Sequence, residues 1–151
     1  MNPKYINLSN EVNKLLLTKA DKSADILSAA IAIAIANASP LPSTPVESSA
    51  SYFTLTVQPS FTNILSSLNE DFMFSIKGCI SNIEAFWKVR YSAAHPSFTF
   101  YNPENYFFDD FFKVSEFVSA DLKEILTSNS EEIFLLVEKF KTVVSSVEAT
   151  E

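Results

Sequence analysis

At 151 residues the chain has room for one domain, which at this size buries about 70% of the surface its unfolded form exposes. Hydrophobic residues at 47% against charged ones at 19% exclude a disordered chain, and a net charge of −7 opposes phosphate backbones and anionic lipid, so no nucleic acid partner is expected. A single glycine leaves almost no supply of positive-φ positions, which argues against hairpin-rich β folds and glycine-rich nucleotide loops.

The first predicted element is a helix over 9–38. Val12, Leu15, Leu16, Ala20, Ala24, Leu27, Ile31 and Ile35 recur at three- and four-residue spacing. Ser9 or Asn10 stands where a cap belongs, and Pro40 follows the end. The last turns, Ala29 to Ala36, read Ala-Ala-Ile-Ala-Ile-Ala-Ile-Ala and are apolar on every face, so they are expected to be enclosed by neighbours in this chain or in another copy. As helix this run spans about 12 Å, against roughly 30 Å for a bilayer core, and no transmembrane span is expected. Met1 to Leu17 mixes Lys4, Glu11 and Lys14 with short apolar runs and does not read as a secretory signal. With Cys79 as the single cysteine, the expected setting is cytoplasmic or otherwise intracellular.

Residues 39–58 carry Pro40, Pro42 and Pro45 among serines and threonines, which predicts an extended linker or wrapping arm. Within it, Tyr52 to Val57 alternates and is rich in aromatic and β-branched residues, permitting one short strand laid on the helices or paired with another copy. Pro59 suits a first helical turn, and Phe61, Ile64, Leu65, Leu68, Phe72, Ile76, Cys79, Ile83, Phe86 and Trp87 form a stripe that predicts a helix over 59–93, curved near Gly78.

Ala94 to Pro103, with two prolines and three aromatics, reads as an ordered loop. Asn102-Pro103-Glu104 is a helix start signal, and apolar periodicity then runs across 103–148 as one helix or two. Ser128-Asn129-Ser130 interrupts it, and Glu131 and Glu132 suit a new first turn before Ile133, Leu136, Val137, Phe140 and Val144. A continuous helix would be roughly 69 Å long, a length suited to an assembly; the interruption favours two.

No catalytic or metal-binding constellation emerges. Helical di-metal sites need Glu-x-x-His pairs, whereas His95 is the lone histidine and precedes Pro96 in a loop. The pairs Glu70-Asp71, Asp109-Asp110 and Glu131-Glu132 are adjacent residues, which point about 100° apart on a helix and read as solvated faces. Cys79 sits on an apolar stripe, where a buried thiol behaves as a small hydrophobe. The chain is therefore expected to have no enzymatic activity, no cofactor and no metal.

The aromatic load is the stronger functional signal. Phe107, Phe108, Phe111 and Phe112 cannot all face one internal stripe, so a loop or a partner must cover the outward ones. With Ile31, Ile33 and Ile35 they form the predicted interface, and Trp87 with Phe108 is the candidate pocket for an apolar ligand.

The expected architecture is a single domain over 1–151: an all-α antiparallel bundle of three to four helices with a Pro/Ser-rich extended crossover. Its expected role is a structural or protein-interaction module that self-associates through apolar helix faces, partnered by further copies of itself or by another protein. The alternative is a helical carrier or sensor for an apolar small molecule or lipid.

Overall fold

A computed structural model describes residues 5–94 and 119–150, and every regular element among them is helical. In chain order these are α1 (Ile6–Thr18), a 3-10 turn (Ala20–Lys22), α2 (Ser23–Ala38), α3 (Ser49–Tyr52), a π-helical stretch (Phe53–Val57), α4 (Gln58–Phe72), α5 (Ile76–Ala94), α6 (Ala120–Ser128) and α7 (Ser130–Thr150). No helix among the described residues is long and apolar enough to cross a membrane.

The centre of the fold is α2. Every residue from Ala29 to Ala36 is buried, none more than 1% exposed. The alternation of alanine and isoleucine explains how one helix can be enclosed on all sides: small Cβ groups let neighbours approach while the isoleucines fill the space between, each contributing about 1.5–3 kcal/mol on full burial. The enclosing helices belong to the same chain. α2 packs chiefly against α5 and α7, with α6 and α1 beside it.

The neighbours present narrow stripes to α2. On α7 the buried positions are Ile133, Leu136, Val137, Phe140, Val143 and Val144; on α1 they are Leu8, Val12 and Leu15, continuing the line from Tyr5. Phe72 knits the edges together, its ring 5.8 Å from Tyr5 and 5.9 Å, edge-on, from Phe140.

Several sequence expectations are corrected. The helix over 9–38 is two helices, interrupted at Lys19 to Lys22, where the Lys22 amide bonds the Lys19 carbonyl at 2.9 Å and Ser23 Oγ donates to Ala20 at 3.0 Å. This polar break lets α1 leave the axis of α2 and lie against α7. Ser9 is not a cap: it lies inside α1 and its hydroxyl donates to the Tyr5 carbonyl at 2.8 Å.

The segment predicted to be extended over 39–58 becomes helical at Ser49, and Tyr52 to Val57 is helical rather than a strand. Phe53 and Val57 are buried four residues apart and in line with Phe61, so their packing overrides the β propensity of the stretch. Ser48 caps the new helix, its Oγ accepting from the Ser51 amide at 3.1 Å.

The helix over 59–93 is also two. Met73 adopts the left-handed conformation, φ 53°, and ends α4, and the Asn69 amide donates to the Phe74 carbonyl across the turn. Gly78, where a curve is expected, is an ordinary helical residue of α5 whose amide donates to Ser75 Oγ. The reversal lets both Phe72 and Phe74 reach the core.

Helices α6 and α7 are separate, broken at the expected Asn129, a buried residue whose side-chain amide donates to Ile125 at 3.1 Å. The start signal Asn102-Pro103-Glu104 lies outside the described residues. The order is not simply antiparallel: Cys79 meets Ser28 near the start of both helices and Arg90 meets Ala36 near the end, so α2 and α5 run in the same direction. Residues 39–75 carry the chain back between them.

Candidate functional site

α1 is flanked by two recesses. The first, about 210 Å³, lies between α1, the start of α2 and the end of α4; Val12, Leu16, Leu27 and Phe72 supply apolar walls, and Ser9, Asn13, Asp71 and Met73 are also in its lining. The second, about 160 Å³, lies between α1 and α7 and is lined by Glu11, Lys14, Leu15, Thr18, Glu132, Leu135 and Leu136. Leu15 closes the inner side of both.

Helical geometry dictates what α1 exposes. Leu15, Leu16 and Leu17 are consecutive, and each step rotates the side chain by about 100°. Leu15 takes the inward stripe, which turns Leu16 to the rim of the first recess and Leu17 to solvent, at 49% and 86% exposed. Across the first recess stands Met73 at 84%, held outward by its left-handed backbone; beside the second stands Leu135 at 52%. Four large apolar side chains, two on α1 and two beside it, thus stand in water.

The charges around these recesses are unequal. Lys14 pairs with Glu11 at 3.4 Å, and Lys19 reaches Glu132 at 3.9 Å, bridging α1 to α7. Asp71 sits in the lining of the first recess with Glu70 beside it, and Glu131 adjoins Glu132. Lys14 and Lys19 are therefore matched by carboxylates, and Asp71 is the one charged side chain among the described residues that line the first recess.

A third recess, about 300 Å³, lies between α2, α5 and α6 and is the most polar of the three, with Asp25, Ser28, Ser75, Ser81, Asn82, Ser119 and Asp121 in its lining beside Leu122 and Ile125. Among the described residues no three histidine, cysteine or acidic side chains come together to hold a metal.

The sequence-predicted interface residues divide. Ile31, Ile33 and Ile35 are fully buried inside the single chain and offer a second copy no surface. The other four, Phe107, Phe108, Phe111 and Phe112, lie outside the described residues, as does His95. Trp87, half of the candidate ligand pocket, is fully buried, with Tyr91 and Tyr52 stacked at 5.5 and 5.7 Å and Phe53 tilted at 5.7 Å. Its indole N–H donates to the Pro40 carbonyl at 2.9 Å, and Tyr91 Oη accepts from the Val46 amide at 3.2 Å. In this structure the space around Trp87 is taken by the protein's own rings, which fasten the proline-rich segment to α5.

Cys79 is buried between helices, its thiol directed at the Ser28 carbonyl at 3.9 Å. Removal from water pushes the thiol up to about 12, so it stays protonated and unreactive. Of the acidic pairs, Glu132 is tied to Lys19 and Glu70-Asp71 lies at the end of α4; Asp109-Asp110 is outside the described residues.

Leu16, Leu17, Met73 and Leu135 were not singled out from the sequence as functional. The signal for two of them was present, since three successive leucines cannot share one stripe; Met73 and Leu135 carried none, because only the tertiary turn and the packing of α7 bring them beside α1. Comparison with protein-family models, with curated proteins and with solved structures gives no match to this chain.

Proposed function

We propose that this protein is a non-enzymatic protein-interaction module that seats another polypeptide against the exposed apolar side chains around α1. The observation that carries this reading is the exposure of Leu16, Leu17, Met73 and Leu135 on and beside α1, with Leu16, Met73 and Leu135 in the lining of two recesses whose floors are already apolar. Holding such surface in water costs about 25 cal/mol per Å², and covering it supplies the driving force for docking. The larger apolar recess, at about 210 Å³, is below the 300–1,000 Å³ usual for small-molecule pockets and suits inserted side chains better than a bound cofactor.

Where the other polypeptide is a second copy, the contact would, with Ile31, Ile33 and Ile35 enclosed, use the α1 and α7 surface of a helical bundle acting in the cell interior. The test is site-specific photo-crosslinking in cells, with the reactive group placed at Leu17, at Leu135 and, as a control, at Leu55, which is 77% exposed on the π-helical stretch. Defined adducts at Leu17 and Leu135 but not at Leu55 are expected. Adducts at all three sites alike, or at none, would count against a docking surface at α1.

A further inference from the structure

Resting on the interaction reading above, we infer that the occupant of the recess between α1, α2 and α4 is a basic amphipathic helix of a partner protein. Shape, charge and symmetry each bear on the choice. Along α1 the recess is lined from Ser9 to Leu16, a rise of about 10 Å. An apolar recess of that length beside a helix takes the anchors of a second helix at i, i+3 or i+4 and i+7, which span the same rise. Leu16 and Met73 form its opposing lips, and Phe72 and Leu27 its floor.

Charge then selects the kind of helix. Lys14 is matched by Glu11 and Lys19 by Glu132, while Asp71 is the one charged side chain among the described residues that line the recess. A visiting helix with Lys or Arg flanking its apolar stripe meets the Asp71 carboxylate, and the net charge of −7 on the whole chain steers it inward. The same charge disfavours a second copy. A two-fold contact through this face sets each patch against its own duplicate, bringing carboxylate toward carboxylate between two chains that both carry −7. An anionic membrane surface is repelled for the same reason.

The experiment uses the full chain and a fluorescent model peptide of about fourteen residues, a leucine and lysine sequence with helical apolar periodicity. Its controls are a scrambled peptide of the same composition and a leucine and glutamate counterpart. Fluorescence anisotropy is expected to show saturable one-to-one binding of the basic amphipathic peptide. Leu16→Ser with Met73→Ser, at exposed positions and without charge change, should weaken it about tenfold or more, with an unchanged circular dichroism spectrum. Asp71→Asn should weaken it severalfold at low salt and less at high salt.

Equal binding of the scrambled peptide, or affinity indifferent to Leu16→Ser with Met73→Ser, overturns the inference. Preference for the glutamate peptide overturns the basic partner while leaving an apolar docking surface standing. A concentration-dependent dimer in light scattering that is abolished by Leu16→Ser with Met73→Ser, without peptide binding, makes the occupant a second copy and preserves the interaction reading. A monomer that binds no peptide and gives no crosslinks at Leu17 removes both.

Discussion

Arg90 on α5 donates from its guanidinium to the Ser39 carbonyl at 3.0 Å and also to the Ala36 carbonyl, closing the C-terminal end of α2 from a neighbouring helix. The last carbonyls of a helix have no partner within it, and α2 carries no basic residue in its own last turn. A half-buried cation supplied by α5 satisfies them and fixes the two helices in register. Arg90→Met is expected to lower unfolding free energy by about 2–3 kcal/mol, the scale for hydrogen bonds to a charged group. Urea titration followed by the fluorescence of Trp87, the single tryptophan and fully buried, measures it. Both bonds leave the one terminal nitrogen, Nη1, and Arg90→Lys should recover only part of the loss, since the lysine side chain is shorter and its more strongly hydrated ammonium costs more to half-bury.

Ile33 marks the sharpest difference between a surface and a core reading of α2. If it contacted a second copy, Ile33→Asp would dissociate an oligomer and leave a folded subunit. Being fully buried by α5 and α7, it is instead expected to unfold the chain when charged. Ile33→Ala should cost about 2–5 kcal/mol in a cooperative transition. Far-ultraviolet circular dichroism distinguishes these outcomes: a native spectrum for Ile33→Asp at reduced mass would contradict the central placement of α2.

Met73 holds a left-handed backbone conformation, φ 53°, that side chains with a Cβ adopt at a cost and glycine adopts freely. Met73→Gly is expected to stabilise the fold by up to about 1 kcal/mol, seen as a higher Tm. The same change removes one lip of the α1 recess and should weaken the basic peptide. Stability and binding thus move in opposite directions, a result that a general loss of structure does not produce.

Cys79 gives a pH dependence of known sign. Its ordinary value of 9.0 is raised to about 12 by burial, so the thiol favours the folded state fully below about pH 9. Between these values the unfolded thiol ionises while the folded one keeps its proton, and the contribution is progressively lost. In urea titrations, wild type is expected to lose more stability than Cys79→Ala as pH rises through that window. Equal slopes for the two proteins would show that the thiol is not desolvated.

Local periodicity determines a good deal of this protein by itself. The helical class, the stripes of α4, α5 and α7, the break at Asn129 and the enclosure of Ala29 to Ala36 are all legible in the sequence, because a 3.6-residue repeat reports which side of a helix leaves water. What covers that side is not local information, and here only the tertiary structure decided. Ile33 could meet α5 and α7 or another copy with the same pattern. Tyr52 to Val57 has the alternation of a strand and becomes helical because Phe53 and Val57 continue the line of Phe61 into the core. The reversal at Met73 has no glycine to announce it and is held by the burial of Phe72 and Phe74 on either side. The candidate site follows from these same decisions: Leu15 occupies the inward position on α1, and the rotation of the helix leaves Leu16 and Leu17 outside.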